Sequence, residues 1–175
     1  MNSKIRSASV ILCLFAIISL FNSCKKNEPD PYYVGTWATE DSITDGDQTI
    51  QVRDEMTFTK DSFTDMFQLY DETTSRFIDY LELKGALSVS GSIMNLTINE
   101  LGISSFDPIT GNPTGVITLY ESGTSGFESI FGQINQPRNF SLDFGVSGNI
   151  MSIKSDNNGD GDYNDEGEIT QYTKQ

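Results

Sequence analysis

Val89-Ser-Gly-Ser-Ile-Met94-Asn-Leu96 sets a short apolar–polar alternation on each side of Gly91-Ser92. Val146-Ser-Gly-Asn-Ile-Met151-Ser-Ile153 repeats the pattern around Gly148-Asn149. A period of two marks a strand with one buried face. Glycine accepts the positive φ that a type II′ turn needs at its first central position, so each pair reads as a two-residue hairpin loop. The turn then fixes the register. Val89 faces Met94 and Leu87 faces Leu96, while Val146 faces Met151 and Phe144 faces Ile153. All eight side chains fall on the inner faces of their hairpins, and a slip of one residue would expose them. The echo is short, and two hairpins converging on one turn account for it without duplication.

The same rhythm extends outward from these hairpins. Ile50, Val52, Met56 and Phe58 alternate with polar residues, as do Phe63, Phe67 and Leu69. Residues 77–90, 93–99, 116–120, 140–147, 149–155 and 168–173 read as further strands, and residues 35–39 open the domain, giving about nine in all. Residues 101–115 contain Pro108, Pro113 and three glycines, so a loop is expected there. Residues 127–134 fit either a strand or a turn or two of helix. The expected fold is all-β, a closed antiparallel up-and-down barrel, with a two-sheet β-sandwich as the alternative.

Gly35-Thr36-Trp37, just before the first strand, resembles the G-x-W that opens lipocalin-like domains. The hairpin rhythm and the closing Tyr172-Thr173-Lys174 are also similar to small bacterial lipocalin-like lipoproteins, over residues 34–175. The resemblance implies that Trp37 closes one end of the barrel beneath a basic side chain from the last strand. Lys174 stands where that family usually has arginine. It also implies a role in binding or transporting a small apolar ligand.

The chain begins with Lys4 and Arg6, a short apolar run over residues 10–21, and Ser23-Cys24. So short a run does not comfortably span a bilayer and reads as the apolar part of a signal peptide. It resembles a bacterial lipoprotein signal, although Phe21 holds the place usually taken by leucine. That resemblance implies cleavage before Cys24, a covalent lipid such as palmitate on its sulfur, and anchoring in the outer membrane. The expected organisation is a signal over 1–23, a lipidated cysteine and tether over 24–33, and a barrel domain over 34–175. The tether's charged residues resemble a surface-export segment, which leaves a cell-surface or a periplasm-facing domain open.

Composition excludes several functions. The formal charge is −14, and loss of Lys4 and Arg6 with the signal takes it to about −16. Nucleic acid and anionic lipid would repel such a chain, so membrane attachment falls to the lipid anchor. Cys13 leaves with the signal and Cys24 carries the lipid, so no disulfide is expected. There is no histidine, which removes Ser-His-Asp and Cys-His catalysis and histidine metal sites. Nothing singles out a pair of carboxylates for glycoside hydrolysis, and no enzyme is expected.

Asp156-Asn-Asn158-Gly-Asp160-Gly161-Asp162-Tyr-Asn164 places oxygen-bearing side chains at alternate positions, with glycine at the sixth. This is the pattern of a calcium loop: alternate oxygens converge on a hard cation, and glycine permits the sharp turn. Asp156, Asn158 and Asp160 would give side-chain oxygens, Asp162 its carbonyl and Asn164 a direct or water-mediated contact. Gly167 replaces the closing glutamate, leaving Glu166 or Glu168 to complete the shell. Flanked by strands, it would be a structural site at a hairpin tip; the competing reading is a solvated acidic loop. Glu40, Asp41, Asp45 and Asp47 are expected to form a second, solvated acidic loop. Phe63, Met66, Phe67, Tyr70, Phe77 and Tyr80 either fill the core or line an apolar cavity. Two functional expectations follow: a small-ligand carrier, or an envelope module whose loops contact a glycan or a protein.

Overall fold

The computed structural model describes residues 31–45, 48–134, 137–155 and 167–175. Strands β1 (Gly35–Asp45), β2 (Gln48–Phe58), β3 (Ser62–Asp71), β4 (Arg76–Ser90) and β5 (Ile93–Phe106) form one antiparallel meander. Strand β6 (Pro113–Glu121) and helix α1 (Ser125–Phe131) follow. A second meander comprises β7 (Asn139–Ser147), β8 (Ile150–Lys154) and β9 (Ile169–Lys174). Two seams close the ring. β5 pairs with β7 through Ile93 to Thr97, and β9 pairs with β1 at Trp37 and Ala38. The result is a closed eight-strand antiparallel β-barrel, with β6 attached to the remaining length of β5. Closure leaves few sheet edges, which is why an all-β chain favours it.

Both glycine hairpins form with the expected registers. Gly91 and Gly148 have φ of 62° and 61°. Val89 pairs with Met94 and Leu87 with Leu96, and Val146 pairs with Met151 and Phe144 with Ile153. Leu87, Met94, Leu96, Phe144, Met151 and Ile153 are buried, and Val89 and Val146 pack against them. Both tips lie at one end of the barrel, and the first reaches β7 there, where the Phe144 N–H donates to the Ser92 carbonyl at 2.8 Å. Burying so many large apolar side chains, each worth about 1.5–3 kcal/mol, is what holds a domain with no disulfide among its described residues.

Two expectations are corrected. Residues 101–115 are mostly not a loop: β5 continues to Phe106, β6 starts at Pro113, and only the tip between them is irregular. Leu101 and Gly102 are buried in mid-strand, so their ladder and packing override the loop-like composition. Glu40, Asp41 and Asp45 belong to β1 rather than to a loop, with Glu40 and Asp41 exposed, and Asp47 lies outside the described residues. The segment left undecided opens as helix. The Thr124 hydroxyl caps α1 by accepting from the Phe127 N–H at 3.3 Å, and Phe127 buries against the core. A threonine cap satisfies an otherwise orphaned helical N–H.

Candidate functional site

The barrel is sealed at one end by packed rings, and a solvent-open cleft lies at the other. Trp37 is fully buried at the sealed end. Its indole N–H donates to the Tyr33 carbonyl at 2.9 Å. The Lys174 ammonium lies 5.0 Å from the centre of the Trp37 ring and donates to the Val34 carbonyl at 3.2 Å. Gly35 must be glycine here: its φ is 134°, and a Cβ would sit 3.0 Å from the Lys174 Cε. Tyr32 stacks on Phe144 with centroids 5.7 Å apart, and Tyr33 meets the same ring edge-on at 6.0 Å. The segment entering the domain therefore plugs this end.

Midway along the barrel the alternation carries acids. Val52, Asp54, Met56 and Phe58 share one face of β2, and Phe63, Asp65 and Phe67 share one face of β3. Register sets Asp54 opposite Phe67 and Asp65 opposite Met56, so the two carboxyls are diagonal neighbours. The Tyr172 hydroxyl donates to Asp54 Oδ2 at 2.6 Å, while Asp54 Oδ1 is buried with no partner among the described residues. Part of Asp65 touches solvent, yet its carboxyl is held well above the usual carboxylate range, first by burial and then by the Asp54 charge. The same two causes hold the Tyr172 hydroxyl protonated. Among the described residues no three Cys, Asp or Glu side chains gather as a metal site. The two carboxyls and the Tyr172 hydroxyl form one polar cluster in the barrel wall.

At the open end a cleft of ≈ 330 Å³ is lined by Ile50, Leu69, Ile78 and Pro113, with Tyr70, Asp71, Glu72 and Asn112 also facing it. The Asp71 carboxylate accepts from the Thr74 hydroxyl at 2.6 Å and the Thr73 N–H at 2.9 Å. These bonds hold its pKa below the usual value, so it is ionised at neutral pH. A second cleft, ≈ 250 Å³, lies beside the β1–β9 seam and is lined in part by Arg53, Glu40 and Gln175. Arg53 bonds Glu55 at 2.9 Å and Gln175 at 3.3 Å there.

Cys24 and the calcium-loop residues Asp156, Asn158, Asp160, Asp162, Asn164 and Glu166 lie outside the described residues. Glu168, at the base of that segment, is buried at 1% exposure, and its carbonyl accepts from the Ser155 N–H at 2.9 Å. The six residues expected either to fill the core or to line a cavity divide. Phe63 is buried in the core, Tyr70 lines the open-end cleft and packs on Phe77, and Tyr80 lies between Phe67 and Phe106. Sequence reasoning missed Asp54, Asp65 and Tyr172. The signal was present: each aspartate interrupts an apolar face at an inner position, where a charge is costly.

The fold and these sites define the class: a closed, small antiparallel barrel with one plugged and one acidic end. Compared with known proteins, the chain matches no family model, no curated protein and no solved structure.

Proposed function

We propose that this chain is a non-enzymatic lipoprotein of the bacterial outer membrane, held by lipid on Cys24. Its lipocalin-like barrel binds a small amphipathic cation in the open-end cleft. The cleft itself carries the reading. Its ≈ 330 Å³ falls within the roughly 300–1,000 Å³ of small-molecule sites. Ile50, Leu69 and Ile78 suit an alkyl or aryl body, and ionised Asp71 beside Glu72 suits a cationic head. The sealed end is filled by its own side chains and leaves no room for a ligand there. Calcium bound by residues 156–166 with Glu168 would tie the last hairpin, a structural role.

Isothermal titration of decylammonium and decanoate against the full chain in detergent tests the cleft. Decylammonium should bind, decanoate should not, and Leu69→Trp, which fills the cleft, should abolish binding. Equal binding of both amphiphiles, or binding indifferent to Leu69→Trp, would overturn the proposal. The second reading, an envelope module contacting a glycan or protein through its loops, is favoured by Ile109. This residue stands 92% exposed at the β5–β6 tip, where an isolated apolar side chain suits a partner surface.

A further inference from the structure

β7 takes the first part of one β5 edge and β6 the rest, and the far edge of β6 has no strand beside it among the described residues. Which groups that edge presents follows from the ladder. The Ser122 N–H donates to the Asn99 carbonyl at 2.8 Å, continuing the register in which Glu121 faces Glu100. An antiparallel ladder alternates, so Ile117, Leu119 and Glu121 must turn their N–H and C=O groups away from β5. The Glu121 carbonyl accordingly accepts from the Thr124 N–H and hydroxyl, at 3.2 and 2.7 Å. No described group pairs with the outward groups of Ile117 and Leu119.

Two features distinguish this edge from the free length of β1. β1 beyond Ala38 is also without a described neighbour on its β9 side, but it carries Glu40 and Asp41, charges of the kind that deter strand addition. Val116-Ile-Thr-Leu-Tyr120 carries none. Across the outer face, Lys84, Glu100 and Glu121 form one row. The Lys84 ammonium is paired with Glu82 at 3.0 Å, and neither Glu100 nor Glu121 has an ion pair among the described residues. Like charges directly opposite destabilise a sheet, and a cation at the next place in the row would relieve them. In the neighbouring row Leu119 is 47% exposed.

We propose that the β6 edge takes an extended segment of a partner protein, added antiparallel. A basic residue would lie opposite Glu121, and apolar residues opposite Leu119 and Ile117. Main-chain bonds would give the attachment and the row of side chains its selectivity. This surface is independent of the open-end cleft.

The probe is an acetylated, amidated peptide, Gly-Lys-Thr-Val-Thr-Val-Gly, titrated against the full chain in detergent. It should bind and shift the amide resonances of Ile117 and Leu119. N-methylation of both valines, which deletes the bonding N–H groups, should weaken it by about tenfold or more. Glu121→Lys should weaken the parent peptide about fivefold, and glutamate in place of its lysine should restore binding to that variant. Equal binding of the N-methylated peptide would overturn strand addition, as would no binding of the parent peptide at about 1 mM. A dimer of the free chain that Leu119→Pro dissociates would make a second copy the occupant and also overturn the proposal.

Discussion

The two ends of the barrel share one alternating pattern and differ in what stands at its inner positions. At the sealed end those positions hold Trp37, Phe58, Phe63, Met94, Phe144 and Met151, all at most 4% exposed. Further along β2 and β3 they hold Asp54 and Asp65, and the cleft lies beyond. A barrel of this size is filled by its own side chains, so bulky apolar groups close it where they occur. Carboxyls do the opposite, because they need a proton, a hydroxyl or water. The difference teaches that the two ends are built differently: one is packed for stability, and the other keeps a cleft.

Replacing the plug should break this division most severely. Trp37→Ala removes a fully buried ring, its hydrogen bond to Tyr33 and the face under Lys174. A loss of about 3–5 kcal/mol is expected by urea unfolding. A loss below about 1 kcal/mol, within the range of ordinary surface changes, would mean that this end is not the stabilising one.

The acidic middle should instead impose a pH dependence. The folded Asp65 keeps its proton above the ordinary value of 3.8, whereas the unfolded chain releases it there. The folded state thus binds more protons between the two pKa values, so stability falls as pH rises from about 4 to the folded pKa and is level above it. Asp65→Asn should remove that decline, raising stability at neutral pH relative to acid. Unfolding curves across pH for the two proteins decide the matter, and an identical decline in both would place its cause elsewhere.

The smallest expected effect belongs to the calcium proposed for residues 156–166 with Glu168. An ion bound at ten times its Kd raises stability by about 1.4 kcal/mol, read as an upward shift of the thermal midpoint that chelator reverses. Asp156→Ala with Asp160→Ala should abolish the shift. A response that survives in the double mutant would remove calcium from residues 156–166.

Much of this architecture was legible because hairpins are local. The type II′ glycines at 91 and 148 fixed two registers, and with them which eight side chains face inward. Strand boundaries were less legible. Gly102 and Pro113 read as loop residues, yet Gly102 lies where a Cβ would stand 2.5 Å from Ile117, so the glycine serves strand-to-strand contact. Glu40 and Asp41 read as loop because they are acidic, but an exposed edge strand tolerates charge.

The candidate sites divide in the same way. Trp37 and Lys174 were named in advance on a resemblance; their 5.0 Å approach needed the β1–β9 seam. Tyr172 and Asp54 are far apart in the chain, and nothing local brings a phenol within 2.6 Å of a carboxylate. Alternation and turn chemistry, acting over a few residues, determined that this chain makes hairpins with one apolar face. The order of strands around the ring, the exclusion of β6 from closure and the meeting of Asp54 with Asp65 and Tyr172 were decided only by tertiary structure. Those outcomes depend on how distant strands share one enclosed volume, a constraint that no short window of sequence contains.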